Sequence, residues 1–334
     1  MALHATESLG DALDATKELL VPFDGGAWLR IAVMAFFIGG LGAPTFGPNV
    51  RYSGDPSEFQ VEEIVNGSIP GVTLSLTAIA AIVAAVVSFA LLLLYVGSVM
   101  EFVLVETLRT REASVRDRFR AFSGLGARLF GFRLVLFALT AAMFGAIVFP
   151  AVVTGSLVWL VLLVPVIFFV LPVVAVVHGF TNVFVVPVML HERCGVLAGW
   201  RRFAGAARGH LDEFGVYLVL SIILSWVGSL FVGIVGGVIG LLLLLPIGIA
   251  AWFAFLSGGP VALVVLVPLL LVAFLFLLAV GAVVQVPVLT YLRYYALFVL
   301  GGATEYDLVD DVRREIDATP GDDGRDDPDP GDLS

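Results

Sequence analysis

The chain has 334 residues, of which 60% are hydrophobic and only 14% charged, with a formal net charge of −10 and a mean hydropathy of +1.04. Soluble domains are about half apolar and a quarter charged, so the composition excludes a soluble protein, and no nucleic-acid partner is expected of so acidic a chain. The apolar residues lie in continuous Leu/Val/Ala/Ile runs long enough for a hydrocarbon core about 30 Å thick, which predicts spanning helices rather than a barrel of short alternating strands.

Lys17 is the only lysine, and every other basic residue is arginine. An acid-rich, lysine-poor surface is the expectation for a protein living in concentrated salt. Cys194 is the only cysteine, so an intramolecular disulfide and a cysteine-based metal cluster are excluded.

Residues 1–26 do not read as a signal peptide, because Glu7, Asp11, Asp14 and Glu18 interrupt any apolar core. Leu9, Leu13, Thr16 and Leu20 fall at helical spacing and predict an amphipathic helix lying on the membrane surface. Trp28 and Arg30 then make an interfacial entry to a first span over about 28–42. The loop from Pro44 to Pro70 is polar and acidic, which puts it outside, and Asn66-Gly-Ser68 fits a glycosylation sequon there.

A second span is expected over 72–105, followed by the basic series Arg109, Arg111, Arg116, Arg118, Arg120, Arg128 and Arg133. Such a cluster marks the cytoplasmic side. Val115, Phe119, Phe122 and Leu129 recur at helical spacing within it, predicting a second surface helix whose Arg116, Arg118 and Arg120 face the inner leaflet. The third span is expected over 129–153 and the fourth over 157–190, the latter bent by Pro165, Pro172 and Pro187.

The next connector repeats the scheme. Trp200 and Phe203 lie on an apolar stripe suited to insertion in the inner leaflet, while Arg201, Arg202 and Arg208 reach for lipid phosphates. Fifth and sixth spans follow over 216–245 and 261–289, divided at Ser257-Gly-Gly-Pro260, with 246–256 open to reading as a re-entrant piece. Residues 303–334 read as an acidic, disordered cytoplasmic tail.

Aligning Gly97 with Gly179 places Phe102–Leu108 over Phe184–Leu190 and, more loosely, over Val284–Thr290. The expected architecture is therefore an all-α, polytopic transmembrane bundle: a membrane domain over 1–302 with six spans as three parallel, repeated hairpins, joined by amphipathic surface helices. Both termini are cytoplasmic in this reading of a cell-membrane protein. Gly97-Ser-Val-Met-Glu-Phe-Val-Leu-Val105, Phe184-Val-Val-Pro-Val-Met-Leu190 with Gly199-Trp-Arg-Arg, and Val286-Pro-Val-Leu-Thr-Tyr-Leu-Arg-Tyr-Tyr295 resemble a family of uncharacterised multi-span membrane proteins of halophilic archaea. The layout is similar, more distantly, to the membrane domain found with some glycerophosphodiester phosphodiesterases, without room for their soluble catalytic barrel. These resemblances imply fold and habitat, and no activity.

Polar residues inside spans are the usual pointers to function. Glu101 lies about 12 Å along its helix before Arg109, and His178 and Asn182 share a helix face. With Gln285 they form a candidate intramembrane polar site: Glu101, His178, Asn182 and Gln285. His4, His178, His191 and His210 include no pair at metal-ligand spacing, and the sequence has no nucleophile elbow or phosphate-binding loop. The expectation is a non-enzyme without metal or cofactor: a structural, assembly or lipid- and partner-binding membrane protein, in contact with anionic lipids, a protein partner or copies of itself. The alternative is a transporter of a small solute or lipid, which requires those four side chains to meet.

Overall fold

The computed structural model describes residues 4–318 except 22, 40–74, 113, 157, 258 and 259. Among them the regular structure is entirely helical. Helix α1 covers His4–Leu20, α2 Gly25–Gly39, α3 Leu76–Thr110 and α4 Val115–Thr154. A short turn of helix at Val158–Val161 leads to α5, an interrupted rod over Leu163–Glu192. Helix α6 covers Val196–Ala207, α7 Leu211–Ser257, α8 Pro260–Ala303 and α9 Asp310–Ala318.

Five helical stretches are long and apolar enough to cross a membrane: Thr77–Thr110, Val115–Thr154, Leu163–Glu192, Leu211–Ala250 and Pro268–Ala303. Their distal parts leave large apolar side chains exposed, among them Val86 and Phe89 on α3, Phe137 and Phe149 on α4, Phe168 on α5, Trp226 on α7 and Phe274 on α8. Water would make so continuous an apolar surface a severe liability. Hydrocarbon solvates it at no such cost, and the helices satisfy their own backbone groups there.

Burial is concentrated at one end of the bundle. Val99–Val105 of α3, Phe184–Leu190 of α5 and Tyr294–Leu300 of α8 are nearly all sealed inside protein. Helix α8 is central, packing on α1, α2, α7 and the part of α5 around Asn182. Close approach depends on small residues. Gly97 of α3 lies where an added Cβ would stand 2.6 Å from the Phe37 carbonyl oxygen of α2, and at Gly126 of α4 it would stand 2.4 Å from a Val99 methyl.

Prolines shape α5. Pro172 and Pro187 bring no N–H to the helix, and the turns before them, Val166–Val170 and Thr181–Val185, widen to π-helix. In the second of these the Val186 N–H bonds to the Thr181 carbonyl, five residues back. In that register the Asn182 carbonyl faces the Pro187 nitrogen, which has no hydrogen to give, so this buried oxygen is released for another partner.

Several expectations are corrected. The stretch 115–129 does not lie flat as a separate surface helix, because Val115–Thr154 is one continuous helix and Phe122, Leu125 and Leu129 pack inward on protein. Helix α1 forms, but it turns the small residues Ser8, Ala12, Ala15 and Thr16 into the bundle and leaves Leu13 about half exposed, since small side chains allow the closer contact with α8. Residues 246–256 are not re-entrant: α7 runs through Pro246 to Ser257. The tail does not begin as disordered chain at 303, because Tyr306, Leu308, Val309 and Val312 are buried and α9 docks on α1. The end of the 28–42 span, the acidic 44–70 loop with Asn66, and residues 319–334 lie outside the described residues. Over its described length α2 rises about 22 Å at 1.5 Å per residue, and it is not among the five long apolar stretches.

Candidate functional site

The sealed end of the bundle contains charge. Glu101 of α3 is completely buried, and each of its carboxylate oxygens accepts from a different arginine. Arg133 Nη2 of α4 donates to Oε1 at 2.9 Å, and Arg293 Nη2 of α8 donates to Oε2. Arg133 Nη2 also reaches Asn182 Oδ1 of α5 at 2.8 Å, and its Nη1 reaches Ser98 Oγ at 3.0 Å. Arg293 Nη1 donates to the Asn182 main-chain carbonyl at 2.7 Å, the oxygen that Pro187 leaves free. Four helices are thus tied through one carboxylate, two guanidinium groups and both oxygens of one asparagine.

The electrostatics of this arrangement are lopsided. Arginine stays charged in proteins, so one carboxylate against two guanidinium groups leaves an excess of one positive charge. The Ser98 hydroxyl and the asparagine oxygens turn their negative ends toward it. Breaking a buried pair by removing one partner costs about 3–5 kcal/mol, because the other charge stays behind without compensation.

The sequence model of a family described as a family of unknown function (DUF7544) matches residues 3–309. The chain belongs to this family. No curated protein and no solved structure matches it. The DUF7544 match runs from the start of α1 to just before α9 and includes every residue of the charged tie.

Of the four polar residues expected to meet in this DUF7544 chain, Glu101 and Asn182 do so through the two arginines. His178 lies beside them, within the field of Arg133, Glu101 and Arg293, with its buried Nε2 lacking a hydrogen-bond partner among the described residues. Gln285 does not join. Its amide lies against Gly39, where an added Cβ would be 2.8 Å from Nε2, and it is about 12 Å along α8 from Arg293. Among the described residues no group of His, Cys, Asp and Glu side chains is placed to hold a metal.

Sequence reasoning missed Arg133 and Arg293 as members of the site. In sequence Arg133 belongs to the interfacial basic series, and Arg293 lies beyond the expected end of the sixth span at 289. A helix running unbroken from Val115 is the missing signal: it carries Arg133 about 27 Å beyond the helix start.

The residues expected at the inner leaflet divide. Arg116 and Arg120 are exposed, but Arg118 holds the α3–α4 turn, donating to the Glu112 carbonyl at 2.5 Å and to Thr110 Oγ1 at 2.7 Å. Phe203 is not available to lipid: only 3% exposed, it stacks on Phe184 with centroids 5.2 Å apart and meets Phe214 edge-on. Trp200 is half-buried and donates through Nε1 to Thr181 Oγ1 at 3.0 Å. The apolar stripe of α6 therefore packs on α5 and α7, while Arg201, Arg202 and, just past the helix end, Arg208 are exposed, as is Leu197 off the stripe.

Proposed function

We propose that this protein is a non-enzymatic, multi-pass scaffold of the cell membrane that holds anionic lipid or a protein partner at its cytoplasmic face, with both termini on that side. The observation that carries the reading is the closed state of the charged tie: Glu101 is 0% exposed and both its oxygens are engaged by arginine. Such an arrangement fixes helices to one another and keeps the carboxylate sealed from a passing solute. The transporter reading loses its main support, since Gln285 lies apart from the other three residues.

The finer architecture belongs to the same proposal. In it α2 is the first of six spans, arranged as three parallel hairpins, and the arginine-rich sealed end is cytoplasmic. The repeat gains support from two helix ends. Helices α3 and α5 both stop on an arginine in the left-handed conformation, Arg111 at φ 55° and Arg193 at φ 52°, at positions equally spaced from the aligned Gly97 and Gly179. Arg293 takes the corresponding place in the third copy, where the helix continues and the side chain turns into the tie. The acidic, lysine-poor composition supports a habitat of concentrated salt.

Thiol labelling in sealed vesicles tests both parts. In a Cys194→Ser background, Ser57→Cys is expected to react with an impermeant reagent from outside and Ser123→Cys only from inside. Ser98→Cys is expected to stay unreactive from both sides until the protein is unfolded. Reaction of Ser98→Cys in the folded protein would reveal a water-filled path to the tie and overturn the scaffold reading, and equal reaction of the other two positions would overturn the topology.

A further inference from the structure

A groove of about 690 Å³ opens between α6 and the end of α8, away from the charged tie. One wall carries Arg201, Arg202 and the following His210; the other carries Gly302, Glu305 and Tyr306. The surrounding helices set its depth. It lies where Leu163–Glu192 ends, Leu211–Ala250 begins and Pro268–Ala303 ends, the shared boundary of three membrane-crossing stretches. In the topology proposed above, this boundary is on the cytoplasmic, headgroup side.

The α6 wall is polar at Arg201 and Arg202, and an exposed leucine stands one turn before them, next to the lining. Arg201 is exposed and forms no ion pair or hydrogen bond among the described residues. Arg202 gives Nη1 to Glu192 and keeps its remaining N–H groups for a second acceptor. Leu197, one turn before Arg201 on the same helix face, is 70% exposed. Across the groove Glu305 is an exposed acceptor. The Tyr306 phenol is held above its usual range by burial, then by Glu305 and Glu192, and so remains a neutral donor. A ligand matching these groups has a phosphate, hydrogen-bond donors beyond it and an acyl chain attached.

We propose that this groove is a specific seat for an anionic glycerophospholipid, with its phosphodiester on Arg201 and Arg202, headgroup hydroxyls toward Glu305 and an acyl chain along Leu197. The inference rests on the inner-leaflet lipid reading and narrows it from a diffuse basic surface to one site. A guanidinium fork suits phosphate oxygens geometrically. Arg208, exposed but outside the lining, has no part in it.

The test uses the full chain reconstituted in phosphatidylcholine vesicles containing a minority of phosphatidylglycerol, re-extracted in mild detergent and examined by native mass spectrometry. Arg201→Gln with Arg202→Gln is expected to retain about tenfold less phosphatidylglycerol, the factor for losing a charge-assisted hydrogen bond. Arg208→Gln is expected to retain as much as the parent, with unchanged helical circular dichroism throughout. Millimolar inorganic phosphate is expected not to displace the lipid. Equal loss in Arg208→Gln would overturn the groove and keep the diffuse lipid surface; no loss in any variant would overturn both. Displacement by phosphate would make this a site for the free anion and overturn the lipid assignment.

Discussion

Glu101→Gln is expected to lower the unfolding free energy in detergent by about 3–5 kcal/mol. The amide keeps one acceptor oxygen but neutralises the only carboxylate between Arg133 and Arg293, so two buried guanidinium groups are left facing each other. Detergent-to-SDS titration followed by circular dichroism reads the effect. Glu106→Gln on the same helix is the comparison: its pairing with Arg109 at 3.5 Å lies nearer the surface, where such pairs contribute about 1 kcal/mol or less. Similar losses in the two variants would show that burial does not amplify the charge.

The second large effect is steric. Gly97→Val places a branched side chain where even a Cβ would stand 2.6 Å from the Phe37 carbonyl oxygen. A main-chain oxygen cannot rotate out of the way, so α2 must move from α3, at a cost of about 1–3 kcal/mol or more. Gly145→Ala on α4 has nothing within 4 Å of the new Cβ, and better helix propensity there is worth up to about 1 kcal/mol in the other direction. The same titration distinguishes the two signs. A tolerated Gly97→Val would contradict a close α2–α3 contact at this position.

The sequence makes the helical membrane class plain, because hydrocarbon imposes one strong requirement: long apolar runs with internally satisfied backbones. The break at Ser257–Pro260 and the bends at Pro172 and Pro187 are local signals of the same directness. What escaped were relations between distant residues. Phe203 looks like a lipid-facing residue on any helical wheel, since its burial depends on Phe184 and Phe214 arriving from two other helices. The helix after Val309 was masked by its acidity, although Leu308, Val309 and Val312 supply enough apolar surface to dock it.

The site divides in the same way. Glu101 and Asn182 stand out as polar residues in apolar runs, which is a one-dimensional property. Arg133 and Arg293 lie near other charges in sequence and are told apart from them only by helix continuity and direction. The role of the Asn182 carbonyl is legible in part, because a proline five residues later removes its π-helical partner. That Arg293 fills the vacancy depends on α8 packing against this turn of α5.

The central claim, that the buried charges serve to join helices, is tested most directly by replacing them together. Glu101→Met alone should be as damaging as Glu101→Gln. The triple variant Glu101→Met, Arg133→Met, Arg293→Met removes every charge of the tie and fills its place with flexible apolar side chains, an exchange that is often neutral or stabilising for a buried ionic group. SDS titration of the two variants side by side should show the triple recovering most of the stability lost by the single, with the helices still packed and Ser98→Cys still unreactive. A triple variant no more stable than the single, or one that opens Ser98→Cys to labelling, would contradict the account.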